Sequence, residues 1–402
     1  MRPVAAYGRR WLSTGRKVYA VPFKLTSDKA RNYIDMTASV HKHPVWSAFK
    51  ILGSIFTRQP PTASDHAQHL NYRPAYLPMW LYDVACTGKA TFKATALQDE
   101  EKGTLTSPVM GLGMNCYWPG HSWSPLTYLS IIGPGIPQEE DLVEFNDSLT
   151  QVDGVEGEIE VIPFSRDPVR DILPRLTRLP ARHLTLDDPS FSIDPSTVRV
   201  DHFAAYPIYW PVYVAEFDGP GDSEGSERRT ILMGAHSNDP FVCQWEPSHQ
   251  GTSQWINNGQ WFAIDMTKTG LGHTSILRQF EQRLRHDFID TFPFSPDEAS
   301  NQPATPQFDH PSVQPYLPNA PANKKYLEAM YAYRAHQTML SGLEQMKDDV
   351  KTVGLAKGAV RMQDVATVRR ELQQAIQQAK GHMEQCRPPW MSDDDAAHDI
   401  TR

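Results

Sequence analysis

Four residues have the types and spacing from which a zinc site could be built. Four residues separate Cys116 from His121, and five separate Cys243 from His249. Thiolate and imidazole are the ligands that structural zinc takes, so the two pairs together would complete a site. However, the chain has 15 histidines, which makes such spacings common by chance, and free cysteine is often a small buried apolar side chain. We therefore predict no metal, and keep these four residues as the candidate ligands.

Other catalytic and cofactor motifs find little support in the sequence. The glycines of Gly111-Leu-Gly113 are followed by Trp118-Pro119 and not by the helix start that a phosphate-binding loop needs. The G-x-S-x-G pattern occurs once, at Gly221–Gly225, in a glycine-rich stretch typical of a turn and not between a strand and a helix, so it does not predict a nucleophile. Cys116 and Cys243 lie among aromatic residues, without the neighbouring lysine or arginine that would lower a thiol pKa. The sequence predicts neither a catalytic residue nor a cofactor and favours a non-enzymatic protein.

Aromatic residues are dense in the middle of the chain, and some of them are candidates for a binding cleft. Aromatic side chains dominate many binding sites, and they also fill the cores of β-sheets. The sequence leaves both interpretations open, with sheet packing favoured. The cleft candidates are Trp118, Trp210, Tyr213 and Trp245.

A short phrase of the sequence occurs twice, as YLPMWLY at Tyr76–Tyr82 and as YWPVYV at Tyr209–Val214. Each copy places proline two residues after tyrosine and an aromatic residue two positions later. Each copy also opens an alternating apolar segment that a turn and a second alternating segment follow, which indicates a β-hairpin. Because a strand proline lacks the backbone N–H, both copies predict an edge or a bulge. We predict a duplication, with a first β-unit and N-terminal helices at 18–150 and a second β-unit at 151–300.

The last quarter of the chain has a different composition. Six prolines between 303 and 321 predict a linker at 301–322. Two helical patterns then predict a helical hairpin at 323–386, and the acidic end predicts a disordered tail at 387–402. The predicted fold class is α+β, a β-rich body of two related antiparallel units followed by that hairpin. The second helix has one apolar stripe, formed by Val365, Val368, Leu372, Ala375, Ile376, Ala379 and Met383.

The order of these features is similar to that of a poorly characterised family of bacterial proteins that begin with a zinc ribbon. The resemblance rests on Val21-Pro-Phe-Lys-Leu25, a Trp46 and Phe49 helix, Tyr76–Trp80 and Tyr209–Tyr213, and it covers roughly 19–290. Some members are labelled as replication or helicase-related. This chain has no CxxC pair and no helicase motif, so the resemblance implies architecture only.

The N-terminus is basic, whereas the rest of the chain is acidic. Six basic residues and no acidic one precede Asp28, and the remaining residues hold 33 bases against 47 acids. An arginine-rich leader without acids is typical of mitochondrial targeting, and Arg10-Trp-Leu12 resembles a matrix-processing site. We predict a targeting leader at 1–17 and a location in the mitochondrial matrix. The acidic remainder argues against binding along a nucleic acid, and no window is apolar enough to span a membrane.

These observations predict a mitochondrial assembly, scaffold or accessory protein. The helical hairpin at 323–386 carries a net charge of +3, and two helices alone cannot bury their apolar stripes. We therefore expect 323–386 to bind a protein partner or a second copy of the chain, with contact between its basic face and anionic inner-membrane lipid as a weaker alternative. The competing hypothesis is an enzyme or metal-binding protein with its site in an aromatic cleft between the β-units.

Overall fold

The structure is a computed structural model, and it describes residues 18–42, 71–93, 104–122, 139–177, 191–218, 228–237, 242–246, 260–264, 305–344, 351–356 and 359–391. The predicted leader at 1–17, the Trp46 and Phe49 helix, and residues 392–402 of the predicted tail lie outside these residues. Within them the protein has an α+β fold, with a large mixed sheet, several helices and a separate two-stranded hairpin.

The elements are numbered here in chain order. The strands are β1 Tyr19–Ala20, β2 Asn71–Lys93, β3 Thr104–Pro119, β4 Val143–Glu144, β5 Glu160–Val161, β6 Phe191–Asp218, β7 Arg228–Gly234, β8 Val242–Glu246, β9 Gln260–Ile264, β10 Lys351–Ala356 and β11 Ala359–Asp364. The α-helices are α1 Ser27–Lys42, α2 Pro168–Asp171, α3 Leu173–Thr177, α4 Tyr316–Glu344 and α5 Val365–Gln385. Short 3-10 turns lie at Glu139–Asp141 and Asp147–Thr150.

The large sheet has the strand order β3-β2-β6-β7-β8-β9, with three short strands added to it. Strands β6 to β9 pair antiparallel, while β1 joins β6 and β5 joins β2 in parallel. Strand β4 completes the set by pairing with β1. The chain divides into two compact units: unit 1 contains Met1–Trp80, Tyr117–Asp167 and Pro207–Phe308, and unit 2 contains Leu81–Cys116, Pro168–Tyr206 and Asp309–Arg402.

Unit 1 contains the shared part of both copies, Tyr76–Trp80 and Tyr209–Tyr213, and their backbone hydrogen bonds match. In the first copy, Ile162 N–H donates to the Tyr76 carbonyl (3.1 Å) and Gly120 N–H donates to the Pro78 carbonyl (3.0 Å). In the second copy, Val21 N–H donates to the Tyr209 carbonyl (3.0 Å) and Ala235 N–H donates to the Pro211 carbonyl (2.9 Å). The two prolines therefore occupy equivalent positions, as the predicted duplication requires.

The correspondence extends to the residues that follow each parallel strand. Ser165 and Arg166 N–H groups both donate to the Gly120 carbonyl, at 2.8 and 3.2 Å. Equivalently, Lys24 and Leu25 N–H groups both donate to the Ala235 carbonyl, again at 2.8 and 3.2 Å. The aromatic side chain four residues after each tyrosine closes the motif: Trp80 Nε1 donates to the Arg166 carbonyl (2.9 Å), and the Tyr213 hydroxyl donates to the Leu25 carbonyl (2.8 Å).

The two copies exchange strands, so the units differ from the predicted boundaries at 150 and 151. Segment 19–25, from the start of the chain, pairs beside the second phrase, and segment 160–166 pairs beside the first. Neither copy is complete without a strand from the other half of the sequence. Because each copy buries its apolar surface only after this exchange, the two copies fold as parts of one core.

Unit 2 contains the C-terminal region, and its structure differs from a hairpin tethered by a linker. Residues 312–314 of the predicted linker pair with β6: Ala205 N–H donates to the Ser312 carbonyl (2.8 Å), and Gln314 N–H donates to the Ala205 carbonyl (2.9 Å). Val313 is fully buried. Alternate backbone groups thus bond to the strand, as in a sheet, and proline at the other positions does not interrupt them.

Helix α4 also begins earlier than predicted, and a β-hairpin separates the two helices. Leu317 is extended (φ −98°, ψ 133°), so regular turns begin with Pro318, a position where the missing N–H costs no helical bond. Strands β10 and β11 pair from Lys351↔Asp364 to Ala356↔Ala359. The Asp364 carboxylate then caps α5, because it accepts from Thr367 N–H at 2.7 Å.

Candidate functional site

The structure does not gather the four candidate zinc ligands as a described cluster. Cys116 is half-buried in unit 2, where burial and, secondarily, the charge of Asp83 raise the pKa of its thiol to about 11. His121 is buried in unit 1, where burial and then the Arg166 charge lower its pKa to about 3. The side chain of Cys243 and the whole of His249 lie outside the described residues. Elsewhere, the described residues contain no group of three or more His, Cys, Asp or Glu side chains able to hold a metal.

Three of the four cleft candidates are core residues of unit 1. Trp118, Trp210 and Tyr213 expose at most 2% of their surface. The Tyr213 ring stacks on Tyr72 with 5.2 Å between centroids, and its hydroxyl donates to the Leu25 carbonyl. The side chain of Trp245, in β8, is not among those described. Sheet packing is therefore the role of the three described aromatics, because each repeat needs a large side chain to cover the gap beside its strand proline.

The helices of the C-terminal region are the part of unit 2 that is least covered. The buried residues of α4 are Tyr316, Ala320, Asn323, Tyr326, Leu327, Ala329 and Met330. Along α5, Val365 alone is buried. We define the C-terminal arm as 331–385, which contains the second half of α4, the β10–β11 hairpin and α5. Within the arm, Arg369 Nη2 donates to the Leu343 carbonyl at 3.1 Å and so ties the two helices together.

The predicted apolar stripe of α5 is the face that packs against neighbours. Its seven residues, from Val365 to Met383, are all buried or half-buried, whereas most of the positions between them are exposed. Met383 and Cys386 extend the apolar cluster that Ala85, Tyr326, Leu327 and Met330 form at the start of the arm. The apolar stripe of α5 is therefore packed within unit 2 and does not provide a free apolar face.

A buried polar network fastens the first half of α4 to the sheet. The Tyr206 hydroxyl on β6 donates to Asp83 Oδ2 on β2 (2.6 Å), and Asn323 Nδ2 on α4 donates to the Tyr206 hydroxyl (2.6 Å). The network continues to the end of the described chain, because Trp390 Nε1 donates to Asn323 Oδ1 (3.0 Å). Four distant segments of sequence thus meet in one chain of hydrogen bonds.

The other oxygen of Asp83 is held by the backbone of β3. Asn115 N–H donates to Asp83 Oδ1 (2.8 Å), and Asn115 has φ +50°, a left-handed conformation that asparagine tolerates better than most residues. Burial raises the pKa of the Asp83 carboxyl, while the bonds from Tyr206 and Asn115 oppose that rise. Both donors hold the Asp83 carboxylate in place, and the network contains no exposed nucleophile. The network therefore stabilises the packing of α4 against the sheet.

His202 lies beside this network as a buried neutral imidazole. Only 1% of its surface is exposed, and burial lowers its pKa to about 4. Its ring lies 5.7 Å from the Tyr326 ring and 5.6 Å from the Trp390 ring, measured between centroids. Among the described residues neither ring nitrogen has a hydrogen-bond partner. His202 therefore packs as an aromatic ring under α4.

Large apolar side chains are exposed on the α4 half of the arm. Tyr331 exposes 52% of its surface and Met339 exposes 59%, the two highest fractions among the exposed large apolar residues of the described chain. They are eight residues apart, which places them within about 80° of each other around the helix. The stripe of α5 packs within unit 2, whereas Tyr331 and Met339 stay exposed among the residues that the structure describes.

Comparison of the chain with protein-family models, with curated proteins and with solved structures finds no match. The resemblance to bacterial proteins that begin with a zinc ribbon therefore stays a prediction. No helix among the described residues combines the length and the apolar character needed to cross a membrane.

Proposed function

We propose that this protein is a non-enzymatic mitochondrial accessory or scaffold protein that docks a protein partner through its C-terminal arm. The observation that carries the proposal is the pair Tyr331 and Met339, which are exposed by 52% and 59% on one side of α4. Tyrosine and methionine are enriched at protein interfaces, because they supply large contact areas. The α5 stripe, proposed from the sequence as part of the interface, is not included, since it packs within unit 2.

The attachment of the arm supports the same interpretation. The first half of α4 is fixed by the Asp83–Tyr206–Asn323 network and by the cluster of Tyr326, Leu327 and Met330. A rigid base gives the arm a defined direction, which lowers the conformational entropy lost on binding. The partner that fits is a protein with an acidic rim around an apolar pocket, because residues 323–386 carry a net charge of +3 in an acidic chain.

The docking prediction is tested with two substitutions in the arm. The Tyr331→Asp/Met339→Asp variant should reduce partner capture from a mitochondrial extract by at least about tenfold, because interface aromatics often carry about 2 kcal/mol or more. Stability should change by less than about 0.5 kcal/mol, since both positions are exposed. Quantitative affinity capture and urea unfolding measure the two effects.

A matched control distinguishes the loss of the docking surface from the effect of adding two negative charges. Asn32→Asp/Val143→Asp adds the same two negative charges at exposed positions of unit 1, including another exposed apolar side chain. This control should capture the same proteins as the wild type. Equal capture by the arm variant and the wild type would refute the docking proposal. If sedimentation shows that only self-association changes, the partner is a second copy of the chain.

The mitochondrial part of the proposal rests on the leader and is tested separately. Residues 1–30 fused to a reporter should be imported into mitochondria, because the membrane potential draws an arginine-rich segment inward. Replacing Arg9, Arg10 and Arg16 with glutamate reverses the charge and should abolish import. Fluorescence microscopy and protease protection provide the measurement. A cytosolic wild-type fusion contradicts the location but leaves the docking proposal standing.

A further inference from the structure

A cavity of about 240 Å³ lies within unit 2, beside the start of the arm. Its lining residues come from β2, β3, β6 and α4. All of them belong to unit 2 and are described: Thr87, Gly88, Lys89, Pro108, Val109, Met110, Thr197, Arg199, Arg334, Gln337 and Thr338. None of them belongs to the repeats of unit 1, and the exposed pair Tyr331 and Met339 is not among them.

Three cations meet in this cavity from three separate elements. Lys89 comes from β2, Arg199 from β6 and Arg334 from α4. The Asp201 carboxylate lies between the two arginines, 3.5 Å from Arg199 Nε and 3.6 Å from Arg334 Nη2. The charge of Lys89 also acts on Asp194, an exposed carboxylate whose pKa is lowered mainly by bonds from Ser196. Three cations against these two carboxylates leave one positive charge in excess.

The hydrogen bonds show which donors remain for a ligand. The hydroxyls of Thr197 and Thr338 are already used, because they donate to the carbonyls of Asp194 and Pro108. Thr87 Oγ1 accepts from Arg199 Nε (3.3 Å), which leaves its own proton to donate. Within the described part of the chain, Asp201 and Thr87 both hold Arg199 through Nε, and this leaves the two terminal nitrogens of its guanidinium for an anion. Such a fork suits the paired oxygens of a phosphate.

The remaining wall is apolar. Pro108, Val109 and Met110 follow one another along β3, and Met110 also packs against the apolar cluster at the start of the arm. Gly88 also lines the pocket, and an added Cβ there would come within 3.2 Å of Ile193. A pocket lined by both cations and aliphatic carbons fits a ligand that has both an anionic head and a small apolar body.

We propose that this cavity binds a small phosphate monoester. Lys89, Arg199 and the Thr87 hydroxyl hold the phosphate, and the organic group rests on Pro108, Val109 and Met110. Arg334 contributes its positive charge, while its Nη1 donates to Gln337 Oε1 (3.0 Å) and its Nη2 faces Asp201. A phosphate presents three terminal oxygens and a carboxylate presents two, so a phosphate matches Lys89, Arg199 and the Thr87 hydroxyl together better than a carboxylate does. The site is distinct from the docking surface of the arm, so it adds a ligand to the proposed function without depending on it.

Calorimetric titration of the full chain with phenyl phosphate, a monoester of about the right size, tests this inference. We expect a dissociation constant below about 1 mM at low salt, with weaker binding as salt increases. Lys89→Gln and Arg199→Gln should each weaken binding about tenfold or more, the effect of one charge-assisted contact. The matched controls Lys325→Gln and Arg370→Gln, at exposed positions of α4 and α5, should bind as the wild type does.

Any of three results would overturn the inference. Millimolar phenyl phosphate could give no heat of binding, or the pocket variants could bind it as tightly as the controls do. Benzoate could also bind as tightly as phenyl phosphate, which would mean that the pocket does not select phosphate. Circular dichroism checks that each variant is folded, and because Lys89 is an exposed residue, Lys89→Gln alone decides the matter if Arg199→Gln does not fold.

Discussion

Replacing Gly120 with alanine is expected to lower the free energy of unfolding by about 1–3 kcal/mol, the usual cost of overpacking a core. A Cβ at this position would lie 2.8 Å from the backbone carbon and oxygen of Pro78 and 2.8 Å from the Phe164 ring. Backbone held by the Gly120–Pro78 hydrogen bond cannot move away without breaking that bond. Gly120→Val should cost more than Gly120→Ala.

The repeat supplies a matched control for this prediction. Ala235 occupies the equivalent position in the second copy, with the same N–H bond to a proline carbonyl, and its Cβ is accommodated in the core. Ala235→Gly should cost only about 1 kcal/mol, mostly through backbone entropy and a lost methyl group. In the first copy Phe308 packs against both Trp80 and Phe164, which tightens the space around Gly120.

Urea unfolding followed by tryptophan fluorescence measures both variants. If Gly120→Ala were as stable as the wild type, the close approach around Pro78 would not be a constraint on the sequence. The asymmetry between the two copies would then need another cause.

The repeated Tyr-x-Pro phrase was enough to predict a duplicated β-rich core from the sequence, because both copies keep the proline and the aromatic residues that cover it. The exchange of strands could not be predicted from the Tyr-x-Pro phrase. Two further short repeats do mark the exchanged segments, because Ile162-Pro-Phe164 repeats Val21-Pro-Phe23 and Gly120-His-Ser122 repeats Ala235-His-Ser237. These tripeptides are short, and which copy each strand joins is determined by long-range packing, which local pattern does not encode.

The C-terminal region shows where composition misleads. Six prolines predicted a spacer, but Ser312 and Gln314 supply the backbone bonds to Ala205, and Val313 is buried between them. The two helical patterns predict a helical hairpin over 323–386 and miss the β-hairpin between the helices, although Val353, Leu355, Val360 and Met362 alternate as strand residues do. The cavity between β2, β6 and α4 could not be predicted at all, since Lys89, Arg199 and Arg334 are far apart in the sequence and share no motif.

The Asp83–Tyr206–Asn323 network leads to the second large expected effect. Tyr206→Phe removes the donor to Asp83 and the acceptor for Asn323, whose bonds to the hydroxyl are both 2.6 Å. A bond to a charged group contributes about 1.5–3 kcal/mol, and a buried amide left without its acceptor adds to that loss. We expect the free energy of unfolding to fall by about 2–4 kcal/mol at neutral pH. Tyr331→Phe, at an exposed position of the same unit, should change it by less than about 0.5 kcal/mol.

The pH dependence of this loss identifies Asp83 as its cause. The pKa of Asp83 in the folded protein is raised above its ordinary value of 3.8, mainly by burial. Folded chains therefore bind this proton more tightly than unfolded chains, so ionised Asp83 opposes folding increasingly as pH rises through the window above 3.8.

The Tyr206 hydroxyl relieves that penalty only while Asp83 is ionised. The cost of Tyr206→Phe should thus be largest at neutral pH and shrink as pH falls through the folded pKa of Asp83, whereas in an Asp83→Asn background it should not vary with pH. Urea unfolding of the four chains across this range makes the comparison, and a loss independent of pH with Asp83 present would show that Tyr206 acts through packing alone.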